Sequence, residues 1–298
     1  MKKTLLIFLL SAVSVFAQAG NTGLSFLKFG FGARNIAMGD LGVATANDVT
    51  ALYYNPALIS QYKNPQLQIT HNQLIQDVSS EMIGAGFSLF GLPFALGVNT
   101  TSVKGIEVRT MPGVAESTFD AHYFSGGLST GFNITEQLSF GLTAKYIYEG
   151  LFSDNANGMG FDFGANYSGL IENLNIGVSV RNLGSMNNLR NEATKLPVDI
   201  RAGAGYNFSA SSINSDITLT AGYQKYNEVD ENHFHFGGDI FYKQFLSLRA
   251  GYMTGYDSKS FTAGLGIVWG NFAFDYAYTP YDFDLGNSNI ISVNYFFN

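Results

Sequence analysis

The sequence predicts an all-β fold, a transmembrane antiparallel β-barrel of about fourteen strands with an N-terminal plug-like segment. Three observations carry this expectation. Apolar and polar residues alternate through one short segment after another, as strands with one greasy and one wet face require. The connections between those segments alternate between longer and shorter. The composition is poor in charge, 13% against ~25% in ordinary soluble domains, while aromatics reach 15% and glycine is abundant.

Taken from the start, Lys2 and Lys3 precede the apolar run Leu5 to Phe16, with small residues at Ala17 and Ala19. This reads as a secretory signal, and residues 1–17 are set apart from the fold. No later run of eighteen apolar residues is available to form a transmembrane helix. The chain has no cysteine, which excludes disulfides, thiolate metal sites, a cysteine nucleophile and a lipid-modified cysteine. Its formal charge is −7, more negative still without Lys2 and Lys3, and it has no basic cluster. No nucleic-acid partner is expected of such a chain.

Residues 20–65 do not alternate and form the plug or hatch. Asn47 or Asp48 can cap a short helix there. Pro56 would halt it, because Asn55 before a proline leaves the helical region. An apolar segment at the periplasmic side either folds back into the lumen or lies beneath the barrel mouth. Leu24, Phe26, Leu27, Phe29 and Phe31 would give it a greasy lining for a hydrophobic ligand.

Residues 66–298 form the barrel. The alternating segments fall near 66–75, 81–90, 93–101, 122–133, 137–150, 156–168, 173–184, 197–208, 214–226, 232–243, 245–256, 260–270, 271–280 and 289–298. Short connections at 91–92, 133–136, 243–244 and 270–271 belong on the periplasmic side. Longer ones at 102–121, 184–196 and 280–288 belong outside. The outward face carries no charge in mid-strand. An arginine at Ala263 or Ile267 should therefore block insertion, and the same change at Thr262 should be milder. Tyr146, Tyr148, Tyr223, Tyr276 and Tyr278 mark one aromatic girdle. Tyr167, Tyr206, Phe208, Tyr242, Tyr295 and Phe297 mark the other. The inward face holds Lys145, Asp162, Arg181, Asp199, Arg201, Asp239, Arg249 and Asp275, with glycines such as Gly141, Gly177, Gly203, Gly251 and Gly264. Both signs are present, so a lumen laced with ion pairs is expected; a gating or ligand role is the alternative.

Catalytic motifs do not survive inspection. Gly127-Leu128-Ser129-Thr130-Gly131 has the spacing of a nucleophile elbow but lies inside an alternating segment with no helix after it. His233 and His235 share a strand face with Asp239, but strand geometry puts Asp239 ~13 Å from His235, too far for shared ligation. No catalytic residue, metal site or cofactor is expected.

Phe31-Gly32-Ala33-Arg34-Asn35-Ile36-Ala37-Met38-Gly39 and Ala51-Leu52-Tyr53-Tyr54-Asn55-Pro56-Ala57 resemble the N-terminal signature of the PorV/PorQ outer-membrane proteins, distant relatives of the FadL fatty-acid transporters. Leu196-Pro197-Val198-Asp199-Ile200-Arg201, Leu248-Arg249-Ala250-Gly251-Tyr252 and Phe274-Asp275-Tyr276-Ala277-Tyr278 extend the resemblance along the chain. At Leu58 the sequence departs from the FadL pattern, which has glycine there. The resemblance implies a FadL-like barrel in a Gram-negative-type outer membrane, non-enzymatic and surrounded by lipid. It also implies a partner in type IX protein secretion, where such proteins stand beside a large translocon subunit. The alternative is a passive channel for hydrophobic small molecules such as fatty acids or aromatics.

Overall fold

In hydrocarbon every backbone N–H and C=O must be satisfied within the protein, and strands achieve this only by closing into a ring. The computed structural model describes residues 23–297. The predicted signal, residues 20–22 of the predicted hatch, and Asn298 lie outside the described residues. Fourteen antiparallel strands make one closed barrel. They are β1 Gln66–Gln73, β2 Val78–Leu89, β3 Leu92–Val108, β4 Ser117–Asn133, β5 Leu138–Leu151, β6 Asp154–Tyr167 and β7 Leu174–Met186. They continue as β8 Asp199–Ala210, β9 Ser215–Tyr226, β10 His233–Tyr242, β11 Leu246–Thr254, β12 Phe261–Trp269, β13 Phe272–Pro280 and β14 Asn287–Phe296. Each strand pairs with the next. β1 closes on β14 from Gln66↔Phe296 through Gln73↔Asn289. Each predicted segment overlaps one of these strands, with several strand ends lying outside the predicted bounds.

One expected loop is largely strand. β3 runs to Val108 and β4 begins at Ser117, so the connection shrinks from 102–121 to 109–116. The extension slips register between Val103 and Ile106, and the Asp120 carboxylate accepts the Gly105 N–H at 2.9 Å. It carries no clean apolar alternation because neither face meets lipid so far from the membrane. The loop asymmetry is imperfect: the outer connections between β5 and β6 and between β1 and β2 are only residues 152–153 and 74–77, while the inner one between β6 and β7 spans 168–173.

Lipid as solvent turns the usual burial rule inside out. Leu265 is 50% exposed and Trp269 73%, whereas Asp199, Arg181 and Arg201 have no exposure at all. Tyr167, Tyr206 and Tyr242 face outward at the inner ends of β6, β8 and β10, where a ring can be half greasy and half wet.

The segment before β1 lies against the inward faces of the strands. It makes a 3₁₀ turn at Ser25–Lys28, α1 at Ala33–Ala37, α2 at Ala51–Tyr54 and a second 3₁₀ turn at Pro56–Gln61. Asp48 accepts the Thr50 N–H at 3.0 Å just before α2. Asn55 is extended, and its side chain accepts the Ala57 N–H at 3.1 Å, which starts the next turn. Short helices like these are not stable alone; the wall holds them. Ser292 accepts the Ala33 N–H at 2.8 Å, Thr262 donates to the Ala37 carbonyl at 3.0 Å, and Ser179 donates to the Tyr54 carbonyl at 2.8 Å. Asn55 donates across to the Ala165 carbonyl at 3.0 Å. The backbone of the segment thus finds partners on strands all around the ring, as buried backbone must.

The inward glycines make this approach possible. A Cβ at Gly141 would overlap the Pro56–Ala57 peptide, one at Gly177 the Val43 carbonyl, and one at Gly237 the Met38 carbonyl. Gly141→Val is expected to push residues 56–57 off the wall, at about 1–3 kcal/mol for overpacking. Limited proteolysis in detergent should then cut near Pro56. Ala144→Val, on the lipid face of the same strand, should leave the digestion pattern as in the native chain.

Candidate functional site

Three charged groups line the lumen, and each lies between the N-terminal segment and the wall. The first is centred on Asp199. Its two oxygens accept from Arg181 Nε at 2.9 Å and Arg181 Nη2 at 3.0 Å, a bidentate pair. One of them also accepts from Arg201 Nε at 2.9 Å and Gln224 Nε2 at 2.6 Å. The register explains the meeting, since Asp199 lies opposite Arg181 on β7 and Arg201 is two residues along the same face. Tyr53 caps the group: its carbonyl accepts from Arg181 Nη1 at 3.0 Å, and its ring lies 4.1 Å from the Arg181 guanidinium carbon. Tyr54 donates to Asp40 Oδ1 at 2.6 Å; burial first, then the charge of Asp40, pushes its phenol well above its ordinary value.

The second group is Lys145 with Asp162, 2.8 Å apart, braced by Asn182, whose side-chain oxygen accepts from Lys145 and whose N–H reaches Asp162 at 2.7 Å. Asn182 has a left-handed φ of 60°, at the bulge where β6 and β7 slip register. The third is Arg249, held by Asp239 at 3.1 Å and by Asp275 at 2.5 Å. Arg34, from α1, reaches Asp239 at 3.7 Å and donates to Asn47 Oδ1 at 2.7 Å. All eight predicted lumen charges therefore point inward and are paired. The sequence pattern did not reveal the third-party braces Tyr53, Asn182, Gln224 and Arg34. A strand's period shows which face a charge occupies, not what crosses the lumen to meet it.

β10 gives a section through the barrel. His233 stacks on Tyr256 with ring centres 4.0 Å apart. His235 bonds to the Gly39 carbonyl at 2.5 Å and to the Tyr256 hydroxyl at 3.2 Å. Gly237 meets Met38, and Asp239 meets Arg34. The two histidines serve packing and hydrogen bonding. Among the described residues no group of three or more His, Asp or Glu side chains is arranged to hold a metal. Ser129 is buried and bonded to Thr143 at 2.7 Å, inside a strand, so the nucleophile-like spacing is structural.

Two cavities lie on either side of residues 34–40. The outer one, about 490 Å³, is lined by Phe29, Tyr226, Tyr256 and Tyr281 together with Lys28 and Lys259. Burial lowers the Lys28 ammonium from its ordinary value and raises the Tyr256 phenol. The inner one, about 240 Å³, is lined by Arg34, Asp48, Asp239 and Asp275 among others. Of the five apolar residues expected to line a ligand pocket, Phe29 alone faces the outer cavity. Leu24, Phe26 and Leu27 pack against Ile147, Met186 and Leu196, and Phe31 packs with Leu52 and Tyr54. The motif residues play packing parts. Gly32 and Gly39 both have φ of 81°, Ala33 starts α1, and Asn55-Pro56-Ala57 crosses to β4, β5 and β6.

The type IX secretion system membrane protein family PorP/SprF matches residues 48–289, most of the barrel and the last part of the segment before it. The chain belongs to the PorP/SprF family. The type IX secretion membership implied by the N-terminal resemblance is thus shown at the level of PorP/SprF. No curated protein sequence matches this PorP/SprF member. Its fold is that of FadL-like barrels. It is similar to the toluene transporter TodX of Pseudomonas putida, with 14% identity, TM-score 0.60, and coverage of 89% of this chain and 96% of that one. It is similar to the monoaromatic hydrocarbon channel CymD, with 12% identity, TM-score 0.62, and coverage of 90% and 98%. A Pseudomonas aeruginosa FadL homologue follows, with 12% identity, TM-score 0.52, and coverage of 88% and 98%. The PorP/SprF member is an outer-membrane barrel of a secretion-associated family, with the fold of FadL-like barrels.

Proposed function

We propose that this barrel is an accessory of type IX protein export that works beside a larger translocon subunit, using its periplasmic segment and rims while its own lumen stays plugged. The observation that carries the reading is the seating of residues 24–61. They are hydrogen-bonded to strands around the ring and clamped by Arg181–Asp199 and Arg34–Asp239. A chain being exported would have to break those bonds to pass, so the barrel supports export from the side. The resemblance of the N-terminal motif to PorV/PorQ supports the same placement, as a component that receives or hands on cargo. The test is gentle extraction from native membranes followed by purification through a tag on an outer loop. A much larger outer-membrane subunit should co-purify, and cells lacking this chain should retain export cargo in the periplasm. Recovery of the barrel alone together with normal export would contradict the reading.

A second reading, a passive channel for hydrophobic small molecules, draws support from the aromatic outer cavity and from the transport described for TodX and CymD. It predicts uptake of toluene or a fatty acid into liposomes carrying the barrel. The export reading predicts uptake no faster than into protein-free liposomes.

A further inference from the structure

Neither reading uses the cavity at the inner mouth. Four carboxylates line it, Asp48, Asp216, Asp239 and Asp275, against two guanidiniums, Arg34 and Arg249. The ion pairs there leave an acceptor over. Asp239 Oδ2 receives both arginines, while its Oδ1 has no hydrogen-bond partner although the residue is only 5% exposed. Asn294 is 2% exposed, and its side-chain oxygen is also without a partner. Two buried acceptors with no donor, in a cavity of net negative charge, are costly unless a donor arrives.

We propose that this cavity binds the terminus of an alkylammonium or alkylguanidinium cation. The missing donor must carry hydrogens and positive charge, which both groups supply. The cavity of about 240 Å³ has room for several methylenes behind the charged head, and Phe241, Val268 and Phe296 on its walls would sheathe them. It opens at the end of the barrel with the short turns, past the exposed Asn47 and Asp216. A lysine or arginine side chain of a periplasmic protein can therefore enter, as can a free amine. Among the described residues no acidic group here has metal-holding geometry, which favours an organic cation over a bare ion. The proposal is independent of the export reading.

The test titrates n-butylammonium and n-butylguanidinium chloride into the full chain in detergent micelles by calorimetry, with n-pentanol as the uncharged control. Both cations should bind saturably and pentanol should not. Asn294→Leu removes one acceptor and leaves every ion pair intact, and Asp216→Asn removes a carboxylate at the open rim. Each should weaken the cations about tenfold, the scale of one hydrogen bond to a charged group. No saturable binding, equal binding in both variants, or equal binding of pentanol would overturn the proposal. The source is separated in intact cells, where Asn47→Cys is joined to nearby amines by a short thiol-to-amine cross-linker. A protein adduct that disappears in Asp216→Asn supports a partner's side chain. No adduct, with a small amine retained on the purified barrel in native mass spectrometry, supports a free amine.

Discussion

Asp199→Ala is expected to cost the barrel about 3–5 kcal/mol. The carboxylate holds two guanidiniums and one amide in a site with no solvent exposure. Removing it leaves Arg181 and Arg201 facing each other without their shared counter-charge in a buried site. Arg201 is already short of partners, since neither of its terminal nitrogens is hydrogen-bonded. The effect should exceed that of Gln224→Leu, which removes one neutral donor to the same oxygen and should cost about 1 kcal/mol. Urea unfolding in detergent, followed by the heat-dependent gel shift of the folded barrel, measures both. Equal midpoints for the two variants would show that the charge cluster does not hold the barrel together. Arg181 also binds the Tyr53 carbonyl, so Asp199→Ala should loosen the lumenal segment as well, and protease should reach it sooner.

The second large effect concerns the lipid face. Leu265 points outward in the middle of β12, opposite Leu248 and Tyr276 on the adjoining strands. Leu265→Arg should cost about 2–4 kcal/mol near the bilayer midplane, and membrane fractions should hold little assembled barrel. The sequence alone suggests that arginine at Thr262, on the inward face, would be milder. The structure gives that milder effect on insertion a separate cost. Thr262 is 1% exposed, donates to the Ala37 carbonyl and accepts the Gly39 N–H at 3.1 Å. An arginine there would displace residues 37–39, which occupy the space its side chain would need. The two variants should fail differently: Leu265→Arg at insertion, Thr262→Arg after insertion, with the barrel in the membrane but its N-terminal segment open to protease. Loss of membrane assembly in both would contradict the separation of faces by function.

The strands were legible because hydrocarbon and lumen impose opposite chemistry on neighbouring residues. Phe272, Phe274 and Tyr276 could only face out if Asp275 faced in, and they do. The ends of β3 and β4 were not legible, because above the membrane nothing enforces alternation. The site was half legible. Asp162 and Lys145 were expected to face the lumen, but their union depends on Asn182 at a bulge that no periodicity shows. Arg34 stood out in its motif, yet its meeting with Asp239 spans about two hundred residues of sequence. The family was the hardest to read. Gly39, Asn55, Pro56 and Ala57 report how a segment packs against wall glycines, and packing geometry says little about partners.

Single-channel recording in a planar bilayer tests the central claim most directly. If residues 24–61 fill the barrel as seated, the native chain should show no steady conductance, and the chain lacking those residues should open a stable pore. A native chain that conducts steadily, at the level of the shortened one, would mean that the lumen is open and that the segment does not close it.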